Sequence, residues 1–258
     1  MDWRKESEMF NQMADYYDKY RPSYPQEIVD IIINTADLHF GSRLLEIGAG
    51  SGKATEQFSE YGFEITCIEP GGDLAYIGSE KTKDKNINFV VSRFEDYLAP
   101  AEYYDAIFSA QAFHWIAQPE GYRKCAIALK NGGYLAEFWN IDVYRENETD
   151  LEFMKFINKY GGWVSILSDK EYMSRSKNIS NGIVDSGLFS QPEIFRINWL
   201  KKYTAEEYFG FLNTGNVFVQ QSDDIKKKCY TDLIKFAEKS YGSIKRQYTC
   251  ELYLTQKL

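Results

Sequence analysis

Leu44-Leu45-Glu46-Ile47-Gly48-Ala49-Gly50-Ser51-Gly52 decides the fold. The apolar run Leu44–Ile47 leads directly into glycines at three alternating positions. Lys53–Tyr61 then places Ala54, Phe58 and Tyr61 at helical spacing and stops at Gly62, a C-cap residue. A strand that turns sharply into a helix sets the helix's unpaired N–H groups at the strand's carboxyl end, where an anionic group can be held. Glycine at 48 and 50 removes Cβ atoms that would keep a ligand off the backbone.

The spacing excludes two common phosphate loops. A dinucleotide loop reads G-x-G-x-x-G, and here the third glycine comes one residue early. A Walker-type loop needs Gly-Lys-Ser/Thr, and Gly52-Lys53-Ala54 lacks the hydroxyl. A second signal ends the next apolar run, Cys67-Ile68-Glu69-Pro70. An acid there can accept two hydrogen bonds from ribose hydroxyls.

Working outward, short apolar runs alternate with helical segments. Strands are expected at Glu64–Ile68, Asn88–Val91, Ala106–Ser109 and Tyr134–Phe138. Helices are expected at Gln26–Thr35 and at Tyr122–Lys130, the latter before an Asn131-Gly132-Gly133 turn. This alternation predicts right-handed crossovers and a doubly wound parallel α/β sheet. Past Asn140, helices are expected at Glu148–Tyr160, Asp169–Ser176 and Asn178–Leu188, with a break at Gly161-Gly162. A strand near Ile194–Leu200, helices at Ala205–Leu212 and Asp223–Tyr241 (N-capped by Ser222) and a final strand at Gln247–Leu254 complete the chain. Residues 143–191 are expected to form a helical lid after the fifth strand, and residues 1–25 an arm over the site, in a single domain over 1–258.

The 258 residues carry a formal net charge of −8, which argues against nucleic acid as partner. Aromatics reach 16%, enough to fill a core and line a pocket. The four cysteines are far apart and the two histidines, His39 and His114, stand near none of them, so no metal site is expected. The N-terminus has no signal-peptide pattern and no apolar run is long enough for a membrane helix, which predicts a cytoplasmic protein.

E-x-G-x-G-x-G followed by an acid at the next strand end resembles the cofactor motifs of class I S-adenosylmethionine (SAM)-dependent methyltransferases. Asp15-x-Tyr17-Asp18-x-Tyr20-Arg21-Pro22-Ser23-Tyr24-Pro25, Ser109-Ala110-Gln111-Ala112-Phe113-His114-Trp115 and Tyr248–Leu254 are similar to segments of the type-11-like small-molecule members. The resemblance implies a Rossmann-like sheet of seven strands, mostly parallel, with the last antiparallel. It implies methyl transfer from SAM to a small-molecule acceptor by in-line displacement. Glu46, Gly48, Ala49 and Gly50 would hold the methionine part, Glu69 the ribose and Pro70 the adenine. Arg93, Phe94 and Glu95 would follow the third strand near the adenine, with Arg93 where the family usually has an acid. Gln111 would lie near the sulfonium.

Other residues have two readings each. Tyr16, Tyr17 and Tyr20 offer aromatic faces to the sulfonium or one face of a packed helix. Arg21 meets a carboxylate of cofactor or substrate, or ties the arm down. His114 is a base for the acceptor or a structural histidine. Trp115, Trp139 and Trp163 shape an acceptor pocket or pack the core. Two rivals stand beside the main reading: a SAM-binding or scaffold module without turnover, and an NAD(P)-dependent oxidoreductase. The chain is expected to act as a monomer or homodimer.

Overall fold

A computed structural model describes residues 13–143, 148–160 and 166–258. Seven strands form the main sheet: β1 (Arg43–Ile47), β2 (Glu64–Glu69), β3 (Ile87–Val91), β4 (Tyr104–Ala110), β5 (Leu129–Val143), β7 (Glu193–Tyr203) and β8 (Ile244–Gln256). Their spatial order is β3-β2-β1-β4-β5-β8-β7. Parallel pairing joins the first five, and only β8 runs against its neighbours β5 and β7. The two-residue β6 (Ile166–Leu167) extends the far end of β5 as an eighth strand. The expected Asn131-Gly132-Gly133 turn lies inside β5. There the register steps from Tyr104↔Leu129 to Ala106↔Tyr134, so the surplus residues bulge out of the ladder.

Helices cover both faces. On one side α2 (Gln26–Thr35) and α3 (Lys53–Ser59) bury Ile28, Ile32 and Phe58 against Leu44, Phe108 and Phe138. Beside them lies α4 (Gly72–Lys81), a helix that Pro70-Gly71-Gly72 concealed in the sequence. On the other side α5 (Glu120–Ala128) and α7 (Asp169–Asp185) bury Tyr122, Cys125, Tyr172 and Ile183 against Ile107, Leu135 and Trp139. Strand order reverses direction between β1 and β4, and ligands bind at the carboxyl ends flanking such a point.

The span 143–191 does not make one lid. Its two expected helices at 169–188 are one, α7, started by a capping box of Ser168 with Glu171. It is a crossover helix on the sheet: Tyr172, Ile179 and Ile183 share the face that meets the core, and this packing carries the helix through Ser176, Asn178 and Ser180. The cap comes from two places instead. Between β5 and β6 stands α6 (Glu148–Asn158). Between β7 and β8 stand α8 (Ala205–Leu212), α9 (Asn216–Val219) and α10 (Asp223–Lys239). They share a third core of Phe153, Ile157, Tyr208, Phe218, Leu233 and Phe236. Gly161-Gly162 and Trp163 lie outside the described residues.

A buried ion pair ties this cap to the sheet. Arg246 of β8 donates to both carboxylate oxygens of Asp142 of β5, at 2.7 Å each, and lies 4.0 Å from the centre of the Phe153 ring. The N-terminal α1 (Ala14–Tyr20) packs between α4 and α8. Among the described residues no helix is long and apolar enough to cross a membrane.

Candidate functional site

A cavity of about 360 Å³ opens at the carboxyl ends of β1, β2 and β4, within the size range of small-molecule sites. Its floor is the glycine loop. Gly48 has φ +70°, and a Cβ there would stand 2.3 Å from the Cβ of Ala112. Glycine is therefore needed twice over: for a left-handed backbone, and so that the loops after β1 and β4 can close on each other.

The loop's N–H groups are engaged within the protein. Those of Gly48 and Ala49 donate to the Ile68 carbonyl, at 2.8 and 3.1 Å, and that of Gly52 to the Ala49 carbonyl. Gly50 N–H donates to Glu69 Oε2 at 2.8 Å, and Gly71 N–H donates to the other oxygen, Oε1, also at 2.8 Å. Glu69 thus pins two turns while its remaining lone pairs face the cavity it lines. Burial raises its pKa, and the two N–H donors oppose that rise.

These four loop donors are therefore already partnered within the protein. Arg21 is the other residue expected to meet a carboxylate. It lines the cavity, donates from Nη2 to the Thr214 carbonyl at 3.1 Å, and lies between the rings of Tyr17 and Phe211. Its Nε is buried without a hydrogen-bond partner among the described residues. A guanidinium on a cavity wall is suited to an incoming carboxylate.

The other expected residues separate. Pro70, Arg93, Phe94, Glu95, Gln111, His114 and Trp115 line the cavity as expected. Arg93 stands 3.8 Å from the carboxylates of both Glu95 and Asp96. The side-chain nitrogen of Gln111 is turned back onto the Asn140 carbonyl, at 3.0 Å. Glu46 and Ala49 line a small side recess of about 40 Å³ behind the loop. Glu46 there accepts from Thr55, and burial lifts its pKa to about 8.

Two expected residues stand elsewhere. Tyr20 faces α8, where its ring occupies the space that a Cβ on Gly210 would need, so it docks α1 to the cap. Trp139 is buried behind His114 and donates from Nε1 to His114 Nδ1 at 3.2 Å. Tyr17 lines both cavity and recess, and Leu74 and Ile116 add apolar wall. For Tyr17 the spacing of the three tyrosines was a signal without a direction. For Leu74 and Ile116 there was none.

Residues 45–136 match a family model described as a methyltransferase domain. A Saccharomyces cerevisiae protein named "Probable S-adenosylmethionine-dependent methyltransferase" is 31% identical over 177 residues, covering 65% of this chain and 56% of that protein. The chain spans about half the length of the curated relatives it matches. Among solved structures, a Haemonchus contortus phosphoethanolamine N-methyltransferase holding phosphomonomethylethanolamine and S-adenosylhomocysteine superposes with a TM-score of 0.56. It is 14% identical over 96% of this chain and 57% of that one. A (4+2)-cyclase, SpnF, superposes at 0.52 with 14% identity over 92% and 83%. Likeness at this level shows the fold, and one fold serves more than one reaction.

Proposed function

We propose that this chain, which carries a class I SAM-dependent methyltransferase domain, transfers a methyl group from SAM to a small-molecule acceptor. The observation that carries the reading is the cavity at the β1/β4 reversal, with Glu69 on one wall and the Arg21 guanidinium on another. Arg21 would take the methionine carboxylate. Glu69 would take ribose hydroxyls on the lone pairs left by Gly50 and Gly71. Pro70 and Phe94 would flank the adenine, and Tyr17 would turn its ring toward the charged sulfur. When bound, SAM supplies a methyl group on a sulfonium leaving group. The protein's part is to align the acceptor and exclude water.

The cap, α6 with α8–α10, and the arm around α1 would close over this side. Trp115 and Ile116 would face the acceptor. The net charge of −8 speaks for a free small molecule over a nucleic acid, handled in the cytoplasm by a monomer or homodimer.

Calorimetric titration with S-adenosylhomocysteine tests the reading. Micromolar binding is expected, abolished in Gly50→Arg and weakened in Glu69→Ala. NADH binding in its place, or binding indifferent to both variants, would sink it.

A further inference from the structure

His114 sits where the acceptor side of the cavity begins, and its surroundings fix its chemistry. The indole N–H of Trp139 can only donate, and it points at Nδ1. Nδ1 must therefore hold a lone pair, and the ring proton of the neutral imidazole belongs to Nε2. Trp139 cannot swing away easily. It is 3% exposed, the Arg175 guanidinium lies 4.7 Å from its ring centre, and the Tyr253 ring meets it edge-on. A second proton on Nδ1 would set two N–H groups against each other. Nε2, already protonated, has no lone pair to offer.

Charge around the ring points the same way. Arg175 of α7 and Arg196 of β7 share one carboxylate, Glu251 of β8, at 3.7 and 2.9 Å. Tyr172, Ser176 and Tyr253 also donate to Glu251. The other carboxyl group near Arg175 is Glu137 of β5, sealed behind Tyr122. Burial lifts it to about 8, so it is largely uncharged at neutral pH. The cluster therefore keeps one positive charge in excess beside His114, which stands exposed at the cavity, and partial desolvation of its ring together with the Arg175 charge draws the imidazole down.

We infer that His114 is a fixed hydrogen-bond donor, through Nε2–H, to an anionic oxygen of the acceptor, with the Arg175 charge behind it, and that it is not the acceptor's base. The acceptor class is a small molecule bearing a carboxylate or a phosphate oxygen next to the atom that is methylated. That assignment rests on the proposed methyl transfer. The tautomer does not.

Nitrogen-15 NMR of the imidazole gives a test without turnover, with His39→Asn to assign the signals. The Nε2–H tautomer is expected, still neutral at a pH of about 5.5, where an ordinary histidine is mostly charged. An imidazolium at that pH, or an Nδ1–H form, would overturn the inference. Trp139→Phe should release the ring into a mixture of tautomers, and an unchanged spectrum would count equally against it. In the S-adenosylhomocysteine complex, benzoate or inorganic phosphate should shift the Nε2–H signal saturably, about tenfold more weakly in Arg175→Gln. The probe that saturates names the oxyanion. A shift with neither, or an equal one with benzylamine, would refute the acceptor class. Failure to bind S-adenosylhomocysteine would fault the methyltransferase reading and leave the tautomer result standing.

Discussion

Around Gly48–Gly52 the chain is held by its own N–H groups, which donate to the Ile68 carbonyl and to the Glu69 carboxylate. In the cap, shape rests on side chains: rings of Phe153, Tyr208 and Phe236 packed edge to face, and the Arg246–Asp142 pair beneath them. The loop tolerates almost no change in residue type, because its backbone angles and clearances are specific. The cap tolerates many apolar exchanges, because packing accepts any set of similar volume.

The largest effect is expected where the cap departs from its own rule. Asp142→Ala removes the carboxylate that accepts twice from the buried Arg246 guanidinium, which should cost about 3–5 kcal/mol of unfolding free energy in denaturant titration. Its dissociation constant for S-adenosylhomocysteine should change little. A collapse of binding would show that cap and loop are one unit. Gly48→Ala attacks the other side. Left-handed strain and the Ala112 clash together approach about 3 kcal/mol, or roughly a hundredfold in affinity. Normal affinity would mean that the β4 loop yields freely.

A separate, pH-dependent effect is expected from two buried acids, Glu46 behind the loop and Glu137 beside Tyr122. Both are raised from 4.5 to about 8 by burial. The folded state then binds more protons than the unfolded one between those values. The stability they contribute is complete below about pH 4.5 and is lost as pH rises toward 8, by at most about 1.4 kcal/mol per pH unit for each group. Thermal melts from pH 5 to 8 should slope downward, and Glu137→Gln should about halve the slope, leaving the part due to Glu46. A slope unchanged by that substitution would place the proton elsewhere. The smallest effect is expected from Thr204→Ala, which removes the capping box of α8 with Glu207. It should cost about 1 kcal/mol and leave cofactor affinity intact.

The same contrast explains what could be read from the residues. The β1–loop–α3 unit and Glu69 were legible because glycine and acid spacing answer to steric demands that few sequences meet. Even there the reading missed that Gly48, Ala49, Gly50 and Gly52 spend their N–H groups within the protein. A hydrogen bond's partner is set by tertiary approach, which spacing does not encode. The strands at Glu193–Tyr203 and Ile244–Gln256 were visible as β-like runs. The cap was misplaced because apolar periodicity says that a helix buries a face but not against what. Asp169–Asp185 went to the sheet, and Ala205–Leu212 and Asp223–Lys239 went to the cap. Trp139, inside β5, is turned into the core, whereas Trp115, in the turn after β4, lines the cavity.

The reversed strand β8 lies between β5 and β7, so the sheet cannot close in the order in which the chain is made. A nascent chain that has emerged only to about residue 240 presents two bare strand edges, on β5 and on β7, each able to pair with the other or with a neighbouring chain. Glu251 is still missing, so Arg175 and Arg196 have no shared carboxylate to organise around. The acceptor wall behind His114 would then be the last part of the molecule to acquire its form, and during synthesis this is the interval in which a chaperone would have most to protect.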